Sequence, residues 1–205
     1  MNRRDFLTTV TLASVFLLPP TVLRAAEGVT PSAVVETFHG TLLASMKSAA
    51  TTSTKQRFDA LAPVIGESFH AGLMIQVASG SFWRKASDVE RDKLTAAFAD
   101  LSTATYAAQF DGYSGQSFRT LGDKPGPQKT VLVETEIVDP GSANVALTYV
   151  TREIQGRWRI IDVLVDAGIS NLALKRSEYR SVLKSGGVGG LIKMLENKTA
   201  SLLAN

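Results

Sequence analysis

The run from Trp158 to Asp166 constrains this chain more than any other. As a strand with regular alternation it would point Ile161, Val163 and Val165 to one face, and Trp158, Ile160 and Leu164 to the other. Both faces would then be apolar. Antiparallel sheets usually leave one face to water, so such a strand has to be covered twice, by helices on one side and by something else on the other.

The first 25 residues are expected to stand apart from the fold. Arg3 and Arg4 precede Phe6, Leu7 and an apolar run to Leu18, the pattern of an export signal of the twin-arginine type. The run is short for a membrane span, Pro19 and Pro20 break it, and Ala25 offers a small residue for cleavage near Ala25 or Ala26. An uncleaved anchor is the alternative. Loss of Arg3, Arg4, Arg24 and Asp5 would lower the formal net charge from +3 to +1. A mature chain that close to neutrality has no electrostatic footprint for nucleic acid, whose binding rests on many phosphate contacts. Residues 26–205 are long enough for one domain with a substantial core and short for two. With no cysteine, disulfides, thiol catalysis and cysteine metal sites are excluded together. His39 and His70 lie far apart without a companion motif, so neither a metal nor another cofactor is expected.

Helical periodicity dominates the first half. Val34, Val35, Phe38, Leu42, Leu43 and Met46 recur at three and four residues and form one stripe, which ends in the Ser/Thr-rich segment Thr51 to Thr54. A second helix is expected from Thr54, carrying Phe58 and Leu61 and interrupted at Pro63, and a third from Val64 to about Val77. Ser87, Asp88, Val89, Glu90 has the form of a capping box and opens the longest helix, to about Phe110. Its buried stripe is expected to be Leu94, Ala97, Phe98, Leu101, Thr105 and Tyr106. Extended segments follow near 113–121, 129–138, 144–153 and 157–166, separated by turn residues at 125–127, 140–141 and 155–156. Connections this short imply an antiparallel meander. Helical periodicity returns over Leu172–Leu183 and, after glycines 186, 187, 189 and 190, over Leu191–Leu202. The expected class is α+β: N-terminal helices, a four-stranded curved antiparallel sheet, and C-terminal helices enclosing an apolar cavity.

Catalytic signatures fail at particular positions. Gly112, Tyr113, Ser114, Gly115 resembles a nucleophile elbow, but Gln116 stands where the closing glycine belongs. The 186–190 glycines fit neither a phosphate loop nor a dinucleotide fingerprint, and read as a helix cap and linker. Asp162 and Asp166, on one face of the last strand, would lie about 13 Å apart, too far for a glycosidase pair. Asp162 is expected to accept hydrogen bonds at the end of the sheet. Arg176, Arg180 and Lys184 recur every four residues, a repulsive spacing unless relieved by Glu178 or used to meet an anionic headgroup or acidic partner.

An ordered set of residues carries a family resemblance. Trp83, Ser87 to Arg91, Phe98, Tyr106, Phe110, Tyr113, Gly115 and Phe118, followed by Tyr149, Trp158 to Ile160, Asp162, Val163, Gly168, Ser170, Arg176, Ser177, Gly187, Leu191 and Leu195, resembles the toluene-tolerance family of MlaC-like periplasmic lipid carriers over roughly residues 33–200. The segment Ile169 to Tyr179 departs from the pattern expected of phospholipid carriers and, with Gln109 to Tyr113, resembles the hopanoid-associated branch called HpnM. The resemblance implies a periplasmic carrier of a membrane lipid, hopanoid or phospholipid, working between inner- and outer-membrane transport complexes without covalent chemistry. A lipid would then be the second cover of the last strand. The expected lining is Phe69, Met74, Trp83, Tyr106, Phe110, Val131, Val133, Leu147, Tyr149, Ile161, Val163 and Val165. Arg176, Arg180 and Lys184 are the expected partner or headgroup contacts. The rival reading is an interaction subunit that docks on a membrane complex and carries no lipid.

Overall fold

The computed structural model describes residues 29–166 and 168–204, so the expected export signal lies outside the described residues. Five helices come first. Helix α1 (Pro31–Ser48) starts with Pro31 and a Thr30 cap whose side chain accepts from the Ala33 amide. Helix α2 (Thr54–Ser68) opens with a capping box between Ser53 and Gln56, and α3 (Ala71–Ser79) is capped by His70 Nδ1 accepting from the Leu73 amide at 3.0 Å. After the short α4 (Ser81–Lys85), α5 (Asp88–Gln109) begins with the expected box between Ser87 and Glu90.

Pro63 does not interrupt α2, contrary to expectation. The carbonyl that its missing N–H leaves unbonded belongs to Asp59, and both residues are exposed, so water can satisfy it. The helix ends instead at Phe69, whose backbone turns extended and pairs in parallel with Ile160 of the sheet, while the His70 amide donates to the Ile160 carbonyl at 2.9 Å. Arg57, buried on α2, donates from Nε to the Ala107 carbonyl at 2.9 Å and from Nη1 to the Thr52 carbonyl at 2.6 Å. It thereby closes the last turn of α5.

The sheet is a five-stranded antiparallel meander in chain order, not four-stranded: β1 (Ser117–Pro125), β2 (Thr130–Val138), β3 (Val145–Ile154), β4 (Arg157–Val165) and β5 (Ile169–Ser170). The fifth strand is two residues long, below what alternation can reveal. Helix α6 (Asn171–Leu203) completes the fold. The glycine cluster is not a linker. Helical structure runs through it with one break, at Gly187 (φ 62°, ψ −159°), so the two expected helices are halves of one bent element.

The doubly apolar strand resolves into a register shift. Leu147, Tyr149 and Thr151 of β3 share one face and oppose Val165, Val163 and Ile160 of β4, so Ile161 is an extra residue without a partner. Beyond this bulge every side chain changes face. Ile160, Val163 and Val165 therefore lie together toward the helices, while Arg157, Arg159, Asp162 and Leu164 occupy the other face. The second face is largely polar and needs no second apolar cover. The core lies between the inner sheet face and the helices, with Phe38, Leu42, Leu61, Phe98, Tyr149 and Ile160 almost wholly inaccessible.

Candidate functional site

Between the sheet and its helical cover lies a partly open cavity of about 590 Å³. That is within the roughly 300–1,000 Å³ range of small-molecule sites. Its floor is the inner sheet face, from Ile137, Leu147, Tyr149, Val163 and Val165. The C-terminal half of α2 and the start of α3 supply Ile65, Phe69 and Met74. The length of α5 supplies Phe98, Ala99, Thr103, Tyr106 and Gln109, with Phe110 just past its end, and the first turns of α6 bring Leu172 and Lys175.

The structure places Phe69, Met74, Tyr106, Phe110, Leu147, Tyr149, Val163 and Val165 together on this wall. Four expected lining residues lie elsewhere. Val133 faces inward but is fully covered by packing, and Val131, on the same face, opposes Thr151 beyond the cavity. Ile161 is displaced by the bulge. Trp83 sits on α4, past the turn at Gly80 (φ 58°), and lines a separate groove. There its carbonyl accepts from Arg91 Nε at 3.1 Å, and the guanidinium lies 5.7 Å from its ring.

Aromatic rings form part of the wall, with Phe38 packed behind them. Phe38 meets Phe69 and Tyr106 edge-on at 5.0 and 5.1 Å between centroids, and Tyr106 stacks on Phe110 at 6.0 Å. Burial pushes the Tyr106 and Tyr149 hydroxyls well above the usual phenol range. The Tyr149 hydroxyl shares a hydrogen bond with His39 Nε2, and His39 stacks on Phe118 at 4.3 Å.

Sequence reading missed the polar part of the lining. Thr95, Ser102, Thr103, Thr105 and Gln109 lie along α5 among the apolar positions, and Asp100 and Lys175 also border the cavity. Partial burial raises the Asp100 carboxyl above its usual range and lowers the Lys175 ammonium below its own. The signal was present in the density of small hydroxyl residues along α5, of which the expected buried stripe took in Thr105 alone. Arg176, Arg180 and Lys184 are exposed and none reaches the cavity. Glu178, expected to relieve them, instead pairs with Lys198.

Asp162 is held in its expected role. Its Oδ1 accepts from the Val163 and Leu172 amides at 2.8 and 3.0 Å, and its Oδ2 from the Ser170 hydroxyl. This ties the start of α6 to β4. Asp166 lies just past the strand end with φ 37°, so the two carboxylates do not share a strand face. Among the described residues no cluster of histidine and acidic side chains could hold a metal ion, and no helix is long and apolar enough to cross a membrane.

These features define an α+β domain in which helices cover one face of a five-stranded antiparallel sheet. The chain belongs to the MlaC protein family, whose pattern matches residues 36–197. It is 26% identical over 131 residues to the intermembrane phospholipid transport system binding protein MlaC of Haemophilus influenzae, a match covering 62% of this chain and 61% of that relative. The fold is also that of a phospholipid-binding protein from Ralstonia solanacearum, solved in complex with a phospholipid. The TM-score is 0.71 at 23% identity, over 83% of this chain and 97% of the other.

Proposed function

We propose that this protein is a soluble periplasmic carrier that holds a membrane lipid in the cavity between its sheet and helices and moves it between membranes. The observation that carries the reading is the cavity itself: a family whose Haemophilus member is named for phospholipid transport, and a fold shared with a phospholipid complex, coincide here with an apolar space of about 590 Å³. Each methylene removed from water is worth roughly 0.8 kcal/mol, so a 16-carbon chain would stand in water at a cost of about 12 kcal/mol. A carrier has to supply an equally dry environment along the whole route.

In this reading Phe69, Met74, Tyr106, Phe110, Leu147, Tyr149, Val163 and Val165 contact the cargo, and the exposed face of Arg176, Arg180 and Lys184 meets a membrane transport complex. Residues 1–25 act as the cleaved export signal. The cargo is a phospholipid or, on the departures between Ile169 and Tyr179, a hopanoid of the HpnM branch. No catalytic role is assigned to any residue.

Mass spectrometry of organic extracts from the purified, folded protein tests the proposal. Membrane lipid near one molecule per chain is expected. A folded protein that neither retains lipid nor takes it up from vesicles is instead the interaction subunit of the rival reading.

A further inference from the structure

The cavity adjoins a shallower surface groove of about 340 Å³, and the two share Thr105, Gln109 and Lys175. Their junction lies where α5 faces α6. Leu101, Ala108 and Leu202 contribute apolar surface to the groove, and Glu178 and Lys198 contribute charge. Polar side chains therefore stand between the cavity and the groove, bordering both.

Lys175 is the distinctive group there. It is half-buried, and its ammonium lies 5.9 Å from the centroid of Phe98, a cavity-wall ring. The neighbouring carboxylate, Glu178, forms its ion pair with Lys198. Among the described residues Lys175 has no ion pair, and the Asp100 carboxylate bordering the same cavity lies outside pairing distance. Arg159, whose side chain reaches the cavity border from the outer face of β4, is engaged with the carbonyls of Gly66 and Glu67. Lys175, Lys198 and Glu178 together carry one net positive charge. A partly desolvated cation in contact with no carboxylate is unfavourable: burial outweighs the more distant Glu178 charge and weakens the ammonium's hold on its proton. An arriving anion would remove that penalty. Gln109 adds an amide with two donors, whereas the Thr105 hydroxyl already donates to the Leu101 carbonyl at 2.7 Å.

We infer that Lys175, with Gln109 beside it, receives the phosphate of a lipid headgroup at the junction of cavity and groove while the chains occupy the cavity. This rests on the carrier reading and narrows its cargo to a phosphate-bearing lipid over a neutral polycycle. A lysine ammonium suits the role, as a compact charge that binds phosphate without demanding a planar partner.

The test compares the lipid-stripped mature protein with Lys175→Met and Lys175→Gln variants for uptake of phosphatidylglycerol and of diacylglycerol with identical chains. The native protein should prefer phosphatidylglycerol by about tenfold, the scale of one charge-assisted hydrogen bond. Both variants should lose the preference, read as the ratio of phosphatidylglycerol to diacylglycerol uptake, with thermal unfolding reporting that they are folded, and Lys175→Arg should keep it. A preference that survives both neutral substitutions, or equal uptake of the two lipids by the native protein, overturns the inference and leaves the carrier standing. A natural extract containing only a hopanoid does the same. Failure to take up either lipid overturns the inference, and it overturns the carrier reading as well where extracts of the purified protein also hold no lipid. Inorganic phosphate should not displace bound lipid at millimolar concentration, and displacement there would mark a free-anion site and overturn the headgroup assignment.

Discussion

His39 Nε2 lies 2.8 Å from the hydroxyl of Tyr149, joining α1 to the strand that floors the cavity. His39 is 4% exposed, and burial lowers its pKa from 6.5 to about 4. The imidazole is therefore neutral in the folded protein at pH 5–6, where an unfolded chain would take up a proton. A base with a depressed folded-state pKa contributes its full stability above the unfolded value and loses it as pH falls toward the folded one. Between about pH 6.5 and 4 this group should make stability fall by up to about 1.4 kcal/mol per pH unit, and by about 3 kcal/mol in all. Denaturant unfolding of the native protein and of His39→Gln at several pH values isolates it, because the carboxylates common to both cancel. Parallel pH slopes for the two proteins would show that His39 is not held neutral.

Ala99 borders the cavity with a small side chain on a helix that is otherwise well packed. Tryptophan at this position should extend into empty space and avoid the roughly 1–3 kcal/mol cost of overpacking a filled core. Ala99→Trp is expected to lose most of its co-purifying lipid with little change in unfolding temperature. Ala96→Trp, on the exposed face of the same helix, should keep its lipid. Equal lipid content in the two variants, measured by extraction and mass spectrometry, would remove the cargo from this cavity.

Legibility from sequence followed the range of the interactions involved. The start of α5 was readable because Ser87 and Glu90 satisfy each other's amides within one turn, and the meander because turn residues separate its strands. Leu147 and Tyr149 fall on one wall because inward alternation holds along β3, and Tyr106 joins them because helical spacing holds along α5. The end of α2 was not readable, since it is set by pairing between Phe69 and Ile160, distant in sequence. The bulge at Ile161 was equally hidden. An isoleucine inserted beside Ile160 leaves the apolar character of the strand unchanged while reversing the direction of everything after it. Lys175 was passed over in favour of Arg176, Arg180 and Lys184 because regular spacing marks a helix face but does not tell which face meets the cavity.

Gly187 adopts a backbone conformation open almost solely to glycine. No atom lies within 4 Å of a Cβ placed there, so alanine would meet a backbone penalty and no clash. Gly187→Ala should destabilise the protein by about 1–3 kcal/mol. Gly189→Ala has the same open surroundings at a helical position, and should stabilise by about 0.5 kcal/mol through lower chain entropy in the unfolded state. Opposite shifts in thermal unfolding are expected. Shifts of the same sign would mean that the bend in α6 does not depend on the Gly187 backbone.

Asp162 anchors α6 by accepting from Val163 and Leu172 amides and from the Ser170 hydroxyl, which itself caps the helix by accepting from the Ala173 amide. Alanine would leave these donors without their charged acceptor and should cost about 3 kcal/mol. Ser170→Ala removes only the cap and one hydrogen bond to Asp162, and should cost about 1 kcal/mol. Because the two side chains act on the same helix start, their effects should not add: the double variant should be less destabilised than the sum of the singles. Lipid content per folded molecule should stay unchanged in Ser170→Ala, since neither Ser170 nor Asp162 borders the cavity. A lipid-modifying activity that disappears in these variants while folding and lipid content persist would assign the pair to chemistry, and remove it from architecture.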